Sequence, residues 1–412
     1  MFKWMKIAFR NILKNKRRSF VTVVAIAIGF AAVGLFKGYT ADVYDGLRIS
    51  AIRGEGLGHL TIYKEGWLEN GNVDPDPYMH TKEEIVKIID LVEEEDEAIL
   101  ATPKIHLSGL VTNGAISTIF LAEGVVPEDD KTIRGSMLAF RPVTGDMLDS
   151  KKPYGVEMAE DLAKLLDLRP SMDAVVMAGT LDGQMNALDI QVSGVYDTGV
   201  PATNDKFIRF PFDYAQSLYD TQKCEEIIVL LDDWRNTEDV RAGLLDRLRA
   251  VGLPCEIKTW NELSVFYTNV RGMMDMIFMF LFFIVFIIVV MSVVNTMGMA
   301  VLERTREIGT LRALGLKRKG VRTLFALEGA MIGFFGSILG LVVDIMVWAV
   351  IATVRPTYTP PGISSPVPLE IKLEPGVFIV LIAFLVFLSL VAAIIPAKRA
   401  ARQNVVDALG HV

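Results

Sequence analysis

Four long apolar runs alternate with charged segments along the chain. Each is long enough to cross a bilayer as a helix, which takes about 20 residues. The pattern predicts membrane spans at 19–39, 273–302, 326–354 and 375–397. The long stretch between the first two spans, 40–272, mixes strand and helix patterns. We therefore expect an integral membrane α-helical protein with four transmembrane helices and one large α+β domain, joined to the spans by helical stalks.

The α+β segment contains separable strand and helix patterns. Apolar and β-branched runs predict strands at 59–64, 174–180, 187–196 and 225–232, together with a hairpin over 105–122 that turns tightly at Asn113-Gly114. Apolar residues at helical spacing predict helices at 82–95, 155–168 and 237–252.

The distribution of basic residues predicts the orientation in the membrane. Residues 1–18 contain seven Lys and Arg and no acidic residue, and the 303–325 loop is also rich in Lys and Arg. In the Pro-rich 355–374 loop, acidic residues balance the basic ones. Because basic loops stay on the cytoplasmic side, both termini, including the 398–412 tail, and the 303–325 loop are predicted to be cytoplasmic. Residues 40–272 and 355–374 are then extracytoplasmic.

The N-terminal segment has two further predicted properties. Residues 1–18 place apolar and basic side chains on opposite faces of a helix, which is typical of a helix lying in the membrane interface. The apolar run after it is long and is followed by no small-x-small cleavage site, so we expect an uncleaved anchor rather than a signal peptide.

Net charge and cysteine content add little on their own. The formal net charge of −7 conceals an acidic 40–272 segment and a basic remainder, so it does not describe any one surface. Both cysteines, Cys224 and Cys255, lie in the predicted extracytoplasmic segment, where a disulfide is chemically allowed. Two cysteines do not prove a bridge, and both the bonded and the free state remain open.

The stretch ERTREIGTLRALGLKRKG, residues 303–320, predicts a short amphipathic helix that ends near Gly315. Its apolar residues Ile308, Leu311 and Leu314 fall on one side of the helix. Such a helix could rest on lipid headgroups. However, an anionic lipid surface would repel Glu303 and Glu307, which favours a protein partner with a mixed-charge groove.

Three blocks of the sequence resemble one family, the FtsX-like/MacB-type ABC transporter permeases. The strongest resemblance is VVNTMGMAVLERTREIGTLRALGLKRKGVRTLFALEGAMIGFFGSILG, and PAKRAARQNVVDALG at 396–410 is similar to the family's C-terminal signature. GVEMAEDLAKLLDLRPSMDAVVMAGTLDGQMNALDIQVSGVYDTGV resembles the external part, although Ser171-Met172-Asp173 replaces the usual Gly-Asp before a strand. The resemblance implies a MacB-like periplasmic core domain on a four-span permease.

The same resemblance implies a role for the 303–315 segment. In the family it forms the coupling helix that docks into an ATP-binding subunit, and residues 1–18 correspond to the family's elbow helix. The implied docking residues are Glu303, Arg304, Arg306, Glu307, Ile308, Gly309, Leu311, Arg312, Ala313, Leu314 and Gly315. The implied partners are two copies of an ABC ATPase and a second permease chain, making a homodimer or a related heterodimer, in the lipid bilayer.

Motifs for chemistry in this chain itself are missing. No GxxxxGK[ST] phosphate-binding loop occurs, so we expect no enzyme activity here; ATP and Mg²⁺ belong on the partner, and proteins that fuse ATPase and permease are predicted to be poor models. The four histidines, His59, His80, His106 and His411, have no HExxH or CxxC partner, and GxSxG is missing. We therefore expect no metal site and no cofactor, and we predict no nucleic-acid partner.

Small and polar residues inside the spans suggest close helix contacts. The third span carries four glycines at GxxxG-like spacing, Gly329, Gly333, Gly336 and Gly340, which allow another helix to approach. Asp344 lies inside the same span, where a carboxylate is costly and is a functional hypothesis by default. It could instead be protonated, or face a polar seam with Asn295 or Ser337.

The combined expectation is a permease subunit in the bacterial inner membrane that transmits ATP-driven motion from residues 308–314 through the second span to the external domain. The layout is most similar to lipoprotein-releasing permeases of the LolC/LolE type, with a lipoprotein substrate and a periplasmic carrier as partners. A MacB-like exporter with an adaptor and outer-membrane channel is the first alternative. An FtsX-like signal transducer that regulates a cell-wall hydrolase is the second. The substrate-binding residues remain unknown from the sequence.

Overall fold

The computed structural model describes residues 2–135, 142–360 and 366–402. The end of the C-terminal signature, His411 and part of the Pro-rich loop lie outside these residues. Two compact units result. The membrane unit comprises Met1–Tyr44, Arg271–Pro356 and Pro368–Val412, and the interspan domain comprises Asp45–Val270 and Thr357–Val367.

The helices are, in chain order, α1 (Phe2–Lys14), α2 (Lys16–Ile49), α3 (Trp67–Asn70), α4 (Lys82–Glu93), α5 (Pro127–Arg134), α6 (Glu160–Leu165), α7 (Pro201–Asn204), α8 (Phe212–Tyr219), α9 (Thr237–Ala250), α10 (Trp260–Leu263), α11 (Val265–Glu303), α12 (Thr305–Ala313), α13 (Arg318–Val354) and α14 (Pro375–Arg402). A π-helical turn, Ser50–Gly54, follows α2, and 3₁₀ turns lie at Asp76–Tyr78 and Trp234–Asn236.

The strands are β1 (Leu60–Lys64), β2 (Ala98–Thr112), β3 (Ser117–Val125), β4 (Pro142–Gly145), β5 (Gly155–Ala159), β6 (Asp173–Gly179), β7 (Met185–Tyr196), β8 (Phe207–Pro211), β9 (Glu226–Leu231), β10 (Cys255–Thr259), β11 (Thr357–Tyr358) and β12 (Val367–Pro368).

Within the described residues, four helices are long and apolar enough to cross a membrane: α2, α11, α13 and α14. This confirms the predicted fold class. The helices continue past the apolar runs, because α11 begins at Val265 and α13 at Arg318, ahead of the predicted spans. Their core is aliphatic and includes Ile26, Val289, Phe325 and Leu385.

Half of the interspan domain is a four-stranded antiparallel sheet in the order β10-β1-β9-β2. Helix α4 follows β1 and α9 follows β9, so the chain order is β-α-β-β-α-β, the ferredoxin-like arrangement. The apolar face of α4 comes from Ile85, Ile88 and Val92, spaced at one helical face, and Thr81 and Glu84 form a capping box at its start. These residues pack with the sheet in one core.

The other half is a closed ring of six strands. Five of them come, in chain order, between β2 and β9, which are the second and third strands of the four-stranded sheet in the sequence. The ring runs β2-β3-β8-β5-β7-β6 and returns to β2. Strand β2 belongs to both halves, because its first part, 98–104, pairs with β9 and its last part, 109–112, pairs with β6. The ring encloses a second apolar core that includes Val111, Phe120 and Phe210.

Two predicted elements need correction. The 155–168 segment, predicted as one helix, begins as strand β5 and becomes helical only at Glu160. Its strand residues are all buried because they pair with β7 and β8, and this tertiary pairing outweighs the local helix pattern. The hairpin turn is also wider than predicted: residues 113–116 connect the strands, and Asn113 Oδ1 accepts from the amides of Ala115 and Ile116.

A buried ion network that no sequence pattern indicated lies in the ring. Arg209 of β8 pairs with Glu157 of β5 and, at 2.7 Å, with Asp130 of α5. Arg134 also pairs with Asp130 at 2.7 Å and reaches Glu123 at 3.3 Å. All five residues are buried, and each arginine lies between two carboxylates. The third carboxylate is balanced by Lys104, which is also buried and lies 3.9 Å from Glu123.

Cys224 and Cys255 are both free and buried, so the structure has no bond between them. They belong to the apolar core between the four-stranded sheet and α4 and α9.

Candidate functional site

The predicted coupling segment is a separate helix, α12, attached to the end of α11 by one non-helical residue, Arg304. The helix ends where Gly315 adopts a positive φ of 101°, a conformation that glycine reaches without strain. The amide of Leu316 then donates to the carbonyl of Leu311 at 3.0 Å, which closes the last turn. The sequence therefore specifies the C-terminal end of this helix locally.

Burial divides the predicted docking residues into two groups. Leu314 is 80% exposed and Leu311 40%, and Arg306, Thr310 and Ala313 are exposed beside them. We call these five residues the α12 surface. In contrast, Ile308 is only 4% exposed and packs in the membrane-unit core.

The burial of Ile308 corrects the prediction that it shares one apolar side with Leu311 and Leu314. Gly309 and Arg304 are buried as well. These three residues hold α12 on the helical bundle, so they are not available for direct contact with a partner. Basic residues are exposed as well, since Lys317, Arg318 and Lys319 follow Gly315.

The two acidic residues of the segment already have partners within the chain. Glu307 accepts a hydrogen bond from Lys14 of α1 at 2.7 Å, and Glu303 pairs with Arg18 at the start of α2. The hydrogen bond from Lys14 is the main reason that the pKa of Glu307 is lowered. Both acids nevertheless remain about half exposed, 49% for the Glu307 side chain and 42% for that of Glu303, so acidic and basic groups lie side by side next to α12.

A buried polar contact at the N-terminal end of α12 joins α1, the break between α11 and α12, and α13. The carboxylate of Glu328 on α13 accepts from Arg304 at 3.0 and 3.3 Å and from the amide of Asn11 on α1 at 2.5 Å. A cavity of about 10 Å³ lies beside this contact, lined also by Thr296 and Ser19. That volume is close to the lower limit for one water molecule. Sequence reasoning missed Asn11 and Glu328, although a carboxylate near the start of a span was a usable signal.

The four glycines of α13 face two different helices. A Cβ on Gly329 or Gly333 would meet Ser389 of α14, at distances down to 2.7 Å. A Cβ on Gly336 would lie 2.6 Å from Ile26 of α2, and one on Gly340 would lie 2.6 Å from Phe30. The stripe predicted from the sequence is therefore present, and it packs α13 against α14 at one end and α2 at the other.

Asp344 is fully buried, and neither of its carboxylate oxygens has a hydrogen-bond partner among the described residues. It packs against Gly34 of α2, where a Cβ would lie 2.3 Å from its Oδ2 and 3.3 Å from Phe378. The predicted polar seam does not form, because Asn295 is exposed on α11 and Ser337 donates to a carbonyl of its own helix.

Sites for other ligands are few. In the described ranges, no group of three or more His, Cys, Asp or Glu side chains could hold a metal ion. An open groove of about 650 Å³ lies on the ring, lined by Tyr154, Tyr214 and Asp173 among others, and no sequence pattern indicated it.

Two family models cover most of the chain. The MacB-like periplasmic core domain matches residues 19–247, more than half of the chain, and the FtsX-like permease C-terminal region matches residues 279–405. Among curated proteins, a macrolide export ATP-binding/permease protein MacB from Agrobacterium fabrum is 23% identical over 423 residues. That match covers 100% of this chain and 61% of the relative, so this chain spans less than two thirds of it.

A relative of a second kind matches over its full length. The lipoprotein-releasing system transmembrane protein LolC from Xylella fastidiosa is 23% identical over 442 residues, covering 100% of both chains. The structure of the periplasmic region of MacB from Actinobacillus actinomycetemcomitans aligns with 53% of this chain and 96% of its own, at 15% identity and a TM-score of 0.39.

The matches also correct one expectation. Relatives whose names combine ATP-binding and permease functions align with the whole of this chain, so fused proteins are valid models for its permease part. The two family models together extend from the first span to the end of the last. Their order along the chain is the same as that of the interspan domain and the spans that follow it. The chain is thus a multi-pass membrane protein and belongs to the FtsX-like permeases that carry a MacB-like periplasmic core domain.

Proposed function

We propose that this chain is the transmembrane subunit of an ABC transporter of the mechanotransmission type. It couples ATP hydrolysis on two separate ATPase subunits to work outside the cytoplasm, and it hydrolyses no ATP itself. The observation that carries the proposal is the α12 surface, where Leu311 and Leu314 are exposed on a helix whose other face is anchored in the bundle. An exposed apolar pair on a rigid support is suited to docking a protein.

The proposal includes an orientation. Both termini and α12 lie in the cytoplasm, and the interspan domain lies outside it, across the inner membrane of a bacterium. Support comes from the basic residues flanking α12 and from the seven Lys and Arg of residues 1–18, which include no acid. A second permease chain, identical or related, completes the transporter, as the family resemblance implies.

For the work performed, we propose release of lipoproteins or extraction of another lipidated substrate from the inner membrane toward a periplasmic carrier. The LolC relative supports this, because its full length corresponds to the full length of this chain. Export of a periplasmic substrate with an adaptor and an outer-membrane channel is the second candidate, supported by the MacB relatives that also cover the whole chain. Proteins co-purifying with the full transporter separate the two: a lipoprotein and its carrier, or an adaptor with a channel.

The docking proposal is tested with Leu311→Asp. The matched control is Leu165→Asp, since Leu165 is a similarly exposed leucine of the interspan domain. We expect Leu311→Asp to insert normally but to lose both co-purification with the partner ABC ATPase and stimulation of that ATPase. The control should retain both. Unchanged stimulation with Leu311→Asp would refute the docking surface.

A further inference from the structure

We propose that Glu328 is a positioning residue that ties α12 to α13 and α1, so that a displacement of α12 moves all three together. The inference rests on the proposed function, because it concerns how motion leaves the docked helix. Its subject is a buried joint formed by Asn11, Arg304 and Glu328, which we call the α12 joint.

The α12 joint lies at a break in the helical backbone. Arg304 interrupts the helix between α11 and α12, with φ −111° and ψ 15°. Without further contacts, rotation at this single residue would absorb a push on α12 before it reached the spans. The side chain of Arg304 prevents such rotation by its contacts on several sides.

Three contacts hold the Arg304 guanidinium. Its Nη1 donates to both oxygens of Glu328, its Nε donates to Glu307 at 3.2 Å, and it lies over the ring of Phe325 with 5.6 Å to the centroid. Both Glu328 and Phe325 are on α13. The break between α11 and α12 is thus fastened to the third span.

The second acceptor contact of Glu328 adds the N-terminal helix. Asn11 of α1 donates to the same carboxylate oxygen that accepts from Arg304. One carboxylate, with a side chain only 3% exposed, therefore binds groups from α1 and from the α11–α12 break to α13.

Burial makes this contact different from the ion pairs around it. Separating Arg304 from Glu328 would leave the buried carboxylate with only the uncharged Asn11 amide as a partner, so the elements are expected to move as one body. The pairs of Lys14 with Glu307 and of Arg18 with Glu303 are largely exposed, and water can replace them at little cost. The exposed pairs therefore cannot supply the rigid link that the buried pair supplies.

The experiment uses the complete transporter, permease with its ABC ATPase, in lipid nanodiscs. Three variants are compared: Glu328→Gln, Arg304→Met, and the double variant Arg304→Met/Glu328→Gln. The control is Glu160→Gln, the same chemical change in a pair with Lys164 that is more exposed. Each is measured for co-purification of the ATPase, thermal unfolding, and the increase in ATP hydrolysis on assembly.

We expect Glu328→Gln to retain the ATPase but to lose about tenfold in stimulated hydrolysis, within the range of typical coupling between sites. The control should be unchanged. The double variant removes both buried charges, so we expect it to regain thermal stability. It lacks the joint, so stimulation should stay low.

Other results would overturn the proposal. If the double variant regains stimulation together with stability, the pair is only structural. If Glu328→Gln loses the ATPase altogether, Glu328 acts on docking and not on transmission. An error in the proposed docking surface is distinguished from an error in the proposed joint, because Leu311→Asp changes the α12 surface and leaves the α12 joint intact.

Discussion

Gly340 of α13 lies against Phe30 of α2, so closely that a Cβ on the glycine would be 2.6 Å from the Phe30 Cβ and 2.9 Å from the carbonyl oxygen of Ala27. A backbone carbonyl cannot rotate away as a side-chain end can. The contact therefore sets the separation of the first and third spans, and it requires glycine.

We predict that Gly340→Ala destabilises the membrane unit by about 1–3 kcal/mol, the usual cost of overpacking. Gly298→Ala is the control, since a Cβ there meets no atom within 4 Å. Thermal unfolding of the detergent-solubilised chain measures both. Equal melting temperatures for the two variants would contradict the close contact.

Arg209 provides a prediction for the interspan domain. Arg209→Met should lower the free energy of unfolding by about 3–5 kcal/mol, because Glu157 would stay buried without its cation and Asp130 would keep only Arg134. Arg235→Gln, in an exposed pair with Asp233, should cost at most about 1 kcal/mol. Denaturant titration followed by tryptophan fluorescence compares them, and a small effect at Arg209 would show that the network relaxes or admits water.

The cysteines are predicted to be unreactive thiols. Burial raises the pKa of the Cys224 thiol well above its usual range and that of Cys255 to about 12. A maleimide reagent should therefore label neither residue in the native chain and both after denaturation, with or without prior reduction. Labelling after denaturation that appears only when a reductant is added would instead reveal a disulfide.

We predict that the stability of the chain is greatest near neutral pH, because three histidines have shifted pKa values. Burial lowers the pKa of His59 and of His80 to about 4, and the Nδ1 of His59 accepts the amide of Leu231 at 2.9 Å. Their contribution is present above the unfolded value of about 6.5 and is lost as the pH falls toward 4.

His106 acts in the opposite direction. Partial desolvation of its half-exposed ring disfavours protonation, but Glu226 and the hydrogen bond with Glu225 outweigh this and raise the pKa of His106 to about 9. Its contribution is present below about pH 6.5 and is lost as the pH rises through 9. The melting temperature should thus peak near pH 6.5, and His106→Gln should remove only the alkaline decline. An alkaline decline that persists in this variant would exclude His106 as its cause.

Local patterns predicted the elements whose cause is local. The capping box at Thr81 and Glu84 starts α4 as its sequence requires, and Gly315 ends α12. Long apolar runs identified all four candidate spans because a bilayer imposes one length and one polarity on any helix that crosses it. The same local reasoning failed at Gly155–Ala159, where strand partners distant in sequence decide the conformation.

By itself, then, the sequence determined the four spans, the α+β domain, the family and the position of α12, since these follow from hydropathy, capping and motif spacing. Only the tertiary structure decided which side chains of α12 remain exposed, which helices the glycines of α13 face, and that Glu328 binds Arg304 and Asn11. The physical reason is that burial and ion pairing depend on residues hundreds of positions apart in the chain, and helical periodicity places Ile308 and Leu311 on one side without saying which of them the bundle covers.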